Sequence, residues 1–102
     1  MASSWLGDES WKPEILSGAQ RDLDKLPAAV RREAMQLLAD LLESPFPKDP
    51  KTKMEGYRDR YRLYLRRDRY WFIDEIARQQ RKVIVVRVRL RDRHTYSGIR
   101  KW

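Results

Sequence analysis

Residues 61–90 read YRLYLRRDRYWFIDEIARQQRKVIVVRVRL, and the side chains of this stretch alternate with a period of two. Such alternation is typical of β-strands, which direct successive side chains to opposite faces of a sheet. It predicts strands at Tyr61–Arg66, Arg69–Ile76 and Lys82–Leu90. Arg67-Asp68 is a candidate two-residue turn, and Ala77–Arg81 is a polar connection. Links this short favour a meander of three antiparallel strands.

Upstream of the meander, apolar residues recur at helical spacing. One helix face carries Leu26, Val30, Ala34, Leu37, Leu38, Leu41 and Leu42. The i, i+4, i+7, i+8 pattern of these positions predicts an amphipathic helix. A shorter helix precedes it, with Ser17 as a candidate N-cap, and Pro27 marks the junction between the two. Together they form a predicted helix hairpin.

Two further segments complete the predicted architecture. Residues 11–16 (WKPEIL) are a candidate short strand at a sheet edge, since Pro13 cannot donate to a ladder, and residues 44–50 (SPFPKDP) form a loop. The apolar stripe of the hairpin needs a partner, so we expect it to cover one face of the sheet. The predicted class is α/β (α+β): an N-terminal helix hairpin packed on one face of a small, mostly antiparallel three- to four-stranded sheet, with a short C-terminal tail.

Length and composition limit the possible functions. The 102 residues fit a single domain, which we place at residues 11–102 behind a flexible arm at residues 1–10. There is no cysteine, which excludes disulfides, Cys-ligated zinc, Fe–S clusters and thiol nucleophiles. The longest apolar run, Val83–Val86, is far below the roughly 20 residues of a membrane span. Residues 1–10 do not resemble a secretory signal, so we expect a soluble, cytoplasmic protein.

The charge is concentrated in one half of the chain. The formal net charge is +8. Residues 1–50 carry 6 basic and 9 acidic side chains, whereas residues 51–102 carry 17 basic and 6 acidic ones, and 13 of those 17 are arginines. Arginine binds phosphate with two parallel hydrogen bonds and stacks on bases. This distribution indicates a polyanionic partner, most simply a nucleic acid.

The alternation also predicts where the strand arginines point. In Lys82–Leu90 one face carries Ile84, Val86, Val88 and Leu90, and the other carries Arg87, Arg89 and, just beyond the strand, Arg91. In the first strand Tyr61, Leu63 and Leu65 share one face, and Arg60, Arg62, Tyr64 and Arg66 share the other. If the apolar faces pack on the helices, the arginines meet on one open surface, which Arg69 joins provided that Tyr70 and Phe72 face the core. Trp71 either packs in the core or stacks on RNA from this surface.

Several short motifs, in this order, resemble the RelE/ParE family of bacterial toxins over residues 17–97. They are LDKLP at 23–27, LLESP at 41–45, KMEG at 53–56, YR at 61–62, RYWF at 69–72 and RDRHTY at 91–96. The family fold is a helix hairpin on an antiparallel sheet. RelE-like members cut mRNA in the ribosomal A site, whereas ParE-like members lack the basic catalytic set and inhibit DNA gyrase. The basic residues make this chain similar to the RelE-like branch.

The resemblance implies a set of site residues. The catalytic candidates are Arg62, Arg69, Arg91, His94 and Tyr96. The RNA-binding candidates are Lys51, Lys53, Tyr64, Arg66, Arg87, Arg89 and Arg93. Tyr64 stands where RelE has a basic residue. His94 has a counterpart only in some relatives and is otherwise an exposed tail residue.

The implied reaction is attack of an RNA 2′-hydroxyl on the adjacent phosphate. It needs a base, an acid and cations for the charge that builds on the phosphoryl oxygens, and no metal or other cofactor. Arg62, Arg69 and Arg91 can stabilise that charge, because arginine is too basic to act easily as a general base. His94 is a candidate proton carrier. Tyr96 can act as an acid or base, stack on a base, or simply pack at the C-terminus.

The family also implies partners and alternatives. The expected partners of a type II toxin of this branch are mRNA, ribosomal RNA of the A site and a cognate antitoxin, with a monomer when free and a hetero-oligomer with the antitoxin. Two other interpretations remain open at this point. One is a ParE-like inhibitor of DNA gyrase, and the other is a non-catalytic RNA-binding domain.

Overall fold

A computed structural model describes residues 10–49, 52–67 and 69–91 of the chain. The elements are β1 (Lys12–Ile15), α1 (Ser17–Lys25), α2 (Ala28–Glu43), β2 (Arg60–Leu65), β3 (Tyr70–Ala77) and β4 (Lys82–Leu90). The strands form one sheet in the order β1-β4-β3-β2, in which β1 runs parallel to β4 and the other neighbours are antiparallel. The predicted α+β class, the meander and the edge position of the first strand are therefore confirmed.

The two helices meet at an extended junction that the sequence locates well. Leu26 and Pro27 have ψ angles of 150° and 147°, and α2 begins at the next residue. Proline suits this position because the first N–H groups of a helix have no intrahelical partner. The side chain of Arg31 donates to the carbonyls of Leu23 at 3.1 Å and Leu26 at 3.0 Å, which satisfies the end of α1. The predicted N-cap at Ser17 is off by one residue, since Leu16 takes that place without a side-chain bond.

The core lies between the helix pair and one face of the sheet. The helices contribute Ala19, Leu23, Val30, Ala34, Leu38 and Leu41, and the strands contribute Tyr61, Leu65, Phe72, Ile76, Val83, Val85 and Val88. The predicted inward face of β2 and the inward positions of Tyr70 and Phe72 are confirmed. The opposite face of the sheet is therefore turned away from the helices, and we call it the open face.

The predicted faces of β4 are wrong in its first half. Val83 and Val85 are buried, whereas Ile84 and Val86 were expected there. The register explains the error: Asp74 pairs with Val85 but Ile73 pairs with Arg87, so Val86 is an extra residue in a β-bulge. A bulge moves all following side chains to the other face. Beyond it, Val88 is buried, as expected.

The connection between β2 and β3 is longer than the predicted two-residue turn. The strands end at Leu65 and resume at Tyr70, and both Arg66 and Arg67 adopt a left-handed backbone with φ of 53° and 52°. The amide of Arg69 donates to the carbonyls of Leu65 at 3.0 Å and Arg66 at 3.2 Å. Such a conformation costs a non-glycine residue free energy, and these backbone bonds help to offset it.

Candidate nucleic-acid interface

One row of side chains crosses the open face from β2 to β4. Tyr64 pairs with Trp71, and Trp71 pairs with Arg89, so the three residues lie side by side on neighbouring strands. Arg62 precedes Tyr64 by two residues on the same face. Trp71 is only 8% exposed but lies outside the core cluster, whereas Tyr64 is 41% exposed. The row places a buried and an exposed aromatic ring beside arginines.

The guanidinium groups on this face lie over aromatic rings. The Arg62 guanidinium carbon lies 5.1 Å from the centroid of the Trp71 ring, and that of Arg91 lies 5.5 Å from the centroid of the Tyr64 ring. Arg91 therefore reaches from the end of β4 across β3 to a residue of β2. Cation–π contacts of this kind hold a guanidinium in place without neutralising it. The two guanidinium groups are thus oriented by the rings beneath them.

Arg69 and Arg91 lie at the same end of the sheet. The backbone N–H of Arg91 donates to the carbonyl of Arg69 at 2.7 Å, which extends the β3–β4 ladder beyond the assigned strands. Arg69 is two residues before Trp71, so alternation places it on the open face. The three catalytic candidates that the structure describes therefore share one surface.

Part of the positive charge on this surface has no carboxylate partner among the described residues. Arg62, Arg69 and Arg89 form no ion pair with a described carboxylate, although four other arginines and one lysine do. Arg62 on β2 and Arg89 on β4 lie two strands apart and two residues out of level, so their backbones are separated by roughly 12 Å. Two arginine side chains that lean toward each other can span that gap with one phosphate between them. The arrangement suits binding of a single phosphate flanked by aromatic rings.

Two predicted RNA-binding arginines do not join this surface. Arg87 donates from Nε and Nη2 to the two carboxylate oxygens of Asp22 in α1, at 2.8 and 3.1 Å. Arg66 pairs with Glu33 in α2 at 3.0 Å, and the amide of Arg66 binds the same carboxylate. Placing them with the other arginines was wrong, because helix carboxylates draw both side chains to the helix layer.

The Asp22 carboxylate also completes the edge of β4. β1 ends opposite Val85, so the N–H of Val88 has no strand partner on that side and donates instead to Asp22 at 3.0 Å. Burial on its own would raise the pKa of Asp22, but the hydrogen bonds from Arg87 and Val88 outweigh it and hold the pKa below its usual value. Asp22 is therefore an ionised anchor between α1 and the sheet.

The other candidates lie apart or beyond the described chain. Lys53 is exposed and forms an isolated antiparallel bridge with Tyr61 outside β2. Lys51, Arg93, His94 and Tyr96 lie outside the described residues. No cluster of three or more potential metal ligands occurs within residues 10–49, 52–67 and 69–91.

A group of charged residues at the far end of the open face was not among the predicted site residues. Asp59, which is 6% exposed, accepts hydrogen bonds from Nε and Nη2 of Arg78 at 2.6 and 2.9 Å. Arg60 donates to Glu75 at 2.9 Å, and its guanidinium lies 4.1 Å from the centroid of the Tyr57 ring. Of these contacts, only the Arg60–Glu75 pair could have been predicted from the sequence, because both residues fall on outward positions of adjacent predicted strands.

The chain resembles known proteins in its three-dimensional structure. No family model and no curated protein matches the chain. The isolated E. coli RelE toxin is 26% identical with a TM-score of 0.72, over 90% of this chain and 97% of that chain. The intact E. coli RelBE toxin–antitoxin complex gives 25% and 0.72, over 82% and 100%. An archaeal RelE–RelB complex from Pyrococcus horikoshii gives 22% and 0.64, over 82% and 98%. Across the described residues, no helix is long and apolar enough to cross a membrane.

Proposed function

We propose that this chain, which has the fold of RelE toxins, is the toxin of a type II toxin–antitoxin system that cleaves translated mRNA in the ribosomal A site. The fold predicted from the short motifs is confirmed by its structural neighbours. The observation that carries the proposal is the open face, where Arg62, Arg69, Arg89 and Arg91 surround the Tyr64–Trp71 pair. A gyrase inhibitor that acts through protein contacts has no need for Arg62 and Arg89 beside aromatic rings without a carboxylate partner among the described residues.

The proposed chemistry is an in-line transfer within the RNA. The 2′-oxygen loses its proton and attacks the adjacent phosphorus, and the bond to the 5′-oxygen of the next nucleotide breaks. The products are a 2′,3′-cyclic phosphate and a 5′-hydroxyl, and no external co-reactant is needed. Negative charge rises on the non-bridging oxygens in the transition state, where preorganised cations are most effective. Arg62, Arg69 and Arg91 are assigned this role.

The proton transfers are assigned to the tail of the chain. Imidazole is the side chain best suited to carry protons at neutral pH, which favours His94, and a phenol such as that of Tyr96 becomes a better acid where cations surround it. These are weak proton carriers by comparison with a dedicated catalytic pair. We therefore assign part of the rate to the ribosome, which positions the mRNA strand for attack. The partners proposed for the chain are mRNA, ribosomal RNA and an antitoxin that binds the free toxin.

Induction in a bacterial host, followed by primer extension on a translated message, tests the proposal. The parent chain should arrest growth and produce cuts in phase with codons. Arg69→Ala and Arg91→Ala should each abolish the cuts, whereas Arg32→Ala should keep them. Arg32 is a matched control, because it is an exposed arginine of α2 on the other side of the molecule.

Two outcomes would contradict the proposal. Growth arrest with intact messages and DNA damage signalling would support gyrase inhibition instead. Binding of RNA that Arg69→Ala weakens, without any cleavage by the parent chain, would indicate a non-catalytic RNA-binding domain. Co-expression of a small neighbouring open reading frame should restore growth if an antitoxin exists, and failure of every neighbouring gene would count against that partner.

A further inference from the structure

A cavity of about 490 Å³ lies at the end of the open face opposite Arg69 and Arg91. One wall is the segment that leads into β2, Gly56–Asp59, and the other is the end of β3 with the following turn, residues 75–80. The volume falls within the range of small-ligand sites in proteins. Glu75 and Ala77 line it from outward positions of β3, so the cavity opens on the same surface as the arginines.

The two walls are fixed to each other. The Asp59 carboxylate holds Arg78 with two hydrogen bonds, and its backbone carbonyl accepts from the N–H of Ile76 at 2.9 Å. The Arg78 guanidinium also lies 4.4 Å from the centroid of the Phe46 ring. The bond from Arg78 is the main reason that the pKa of Asp59 is lowered, so the carboxylate stays charged at neutral pH. A cavity between walls joined in this way exists before a ligand arrives, which reduces the entropic cost of binding.

The groups that line the cavity are varied in chemistry. Tyr57 is 46% exposed and provides an aromatic surface beside Arg60. Gln79 and Gln80 are exposed amides that can donate and accept, and Glu75 uses only one of its two carboxylate oxygens for Arg60. Arg58 is an exposed cation with no ion pair to any carboxylate in the described ranges. A base edge presents donors and acceptors together in one plane, and the two amides can match both, whereas the side chains of an acidic peptide present carboxylate acceptors only and would face Glu75 with a like charge.

We propose that this cavity binds one nucleotide of single-stranded RNA, with its base stacked on Tyr57, its edge read by Gln79 and Gln80, and its phosphate on Arg58. This site rests on the proposed function, since it extends the same RNA strand beyond the scissile phosphate. The Arg60–Glu75 pair lies six residues along β3 from Arg69, which is about 20 Å. Several nucleotides of an extended strand therefore separate the nucleotide in the cavity from the scissile phosphate. The cavity would then contribute to sequence preference.

Binding of fluorescein-labelled 2′-O-methyl heptanucleotides, measured by fluorescence anisotropy, tests the site without cleavage. Four oligonucleotides that differ in one base are compared on the full chain. Tyr57→Ala should weaken binding by about tenfold, which is the loss expected for one base–aromatic stack. Tyr57→Phe should retain the parent affinity, because the ring is kept. The double variant Gln79→Leu with Gln80→Leu should reduce the differences between the four bases.

A matched control and a second readout separate this site from the proposed nuclease activity. The double variant Gln20→Leu with Gln36→Leu, on the helices, should bind as the parent does. If the parent binds RNA with the Tyr57 dependence but never cuts mRNA, the nucleotide site stands and the nuclease proposal fails. If codon-phased cuts keep their sequence preference in the Gln79/Gln80 variant, the nuclease stands and the site fails. No RNA binding by the parent, unchanged affinity in Tyr57→Ala, or a Tyr57→Ala effect confined to antitoxin binding would each overturn the site.

Discussion

The carboxyl group of Asp74 should make the stability of the fold depend on pH. It is 0% exposed on the helix side of β3, where it lies between Phe72 and Ile76 along the strand and opposite Tyr61 and Val85. No other described group donates a hydrogen bond to it. Burial therefore raises its pKa from 3.8 to about 7, although its own backbone N–H acts in the opposite direction.

The direction and size of the effect follow from proton linkage. In the unfolded chain Asp74 ionises near pH 4, whereas in the fold it keeps its proton up to about pH 7. The folded state thus binds more protons, so the free energy of unfolding falls as pH rises through this window and levels off above it. At about 1.4 kcal/mol per pH unit, the loss between pH 5 and pH 8 is about 3 kcal/mol. Asp22 and Asp59 do not contribute, because their lowered pKa values leave them ionised throughout.

Urea denaturation of the parent chain and of Asp74→Asn at pH 5 and pH 8 measures this loss. The amide has nearly the same size and does not titrate, so the variant should lose the part of the pH dependence that Asp74 causes. Asp40→Asn, at an exposed position of α2, should behave as the parent does. Parallel stability profiles of parent and Asp74→Asn over this range would refute the reasoning, since all other titrating groups are shared.

Three further predictions concern the two faces of the sheet. Trp71→Leu removes the ring under Arg62 and should reduce the rate of mRNA cleavage by about tenfold with little loss of ribosome binding. The cleavage rate on saturated ribosomes and the affinity for ribosomes are measured separately. Arg89→Ala should weaken RNA binding equally for all sequences and lower the slope of log affinity against log salt by about one, measured by anisotropy at several salt concentrations. Asp22→Asn should lower the free energy of unfolding by about 1–3 kcal/mol in urea, because Arg87 loses its carboxylate; an unchanged midpoint would contradict the anchoring role.

The spacing of apolar residues along the chain, together with the position of Pro27, was enough to predict most of the fold. Pro27 marks the helix junction because its missing N–H and its ring exclude it from a helix interior but not from a helix start. The alternation of β2 identifies its buried side, since that strand follows one register throughout. Alternation along β3 also places Asp74 on the inward face, between Phe72 and Ile76. That placement is easily overlooked, because a carboxyl group is rarely found in a protein core.

The candidate site was predictable only in part, because two of its determinants are tertiary. Arg87 and Arg66 were expected among the exposed arginines, but Asp22 and Glu33 bind them from helices that are distant in sequence. The Asp59–Arg78 pair joins segments 19 residues apart and produces no periodic signal. Side-chain partners across layers depend on packing, which a single sequence does not encode locally.

The extra residue in β4 determines which side chains of that strand meet solvent. Val83, Val85, Arg89 and Arg91 are all odd-numbered, and in an unbroken strand they would share one side. If Val86 were instead paired within the ladder, the strand would have to bury the two arginines or expose the two valines. Deleting Val86 removes the bulge and leaves both pairs on their present faces, so the shortened chain should keep both its core and its exposed arginines.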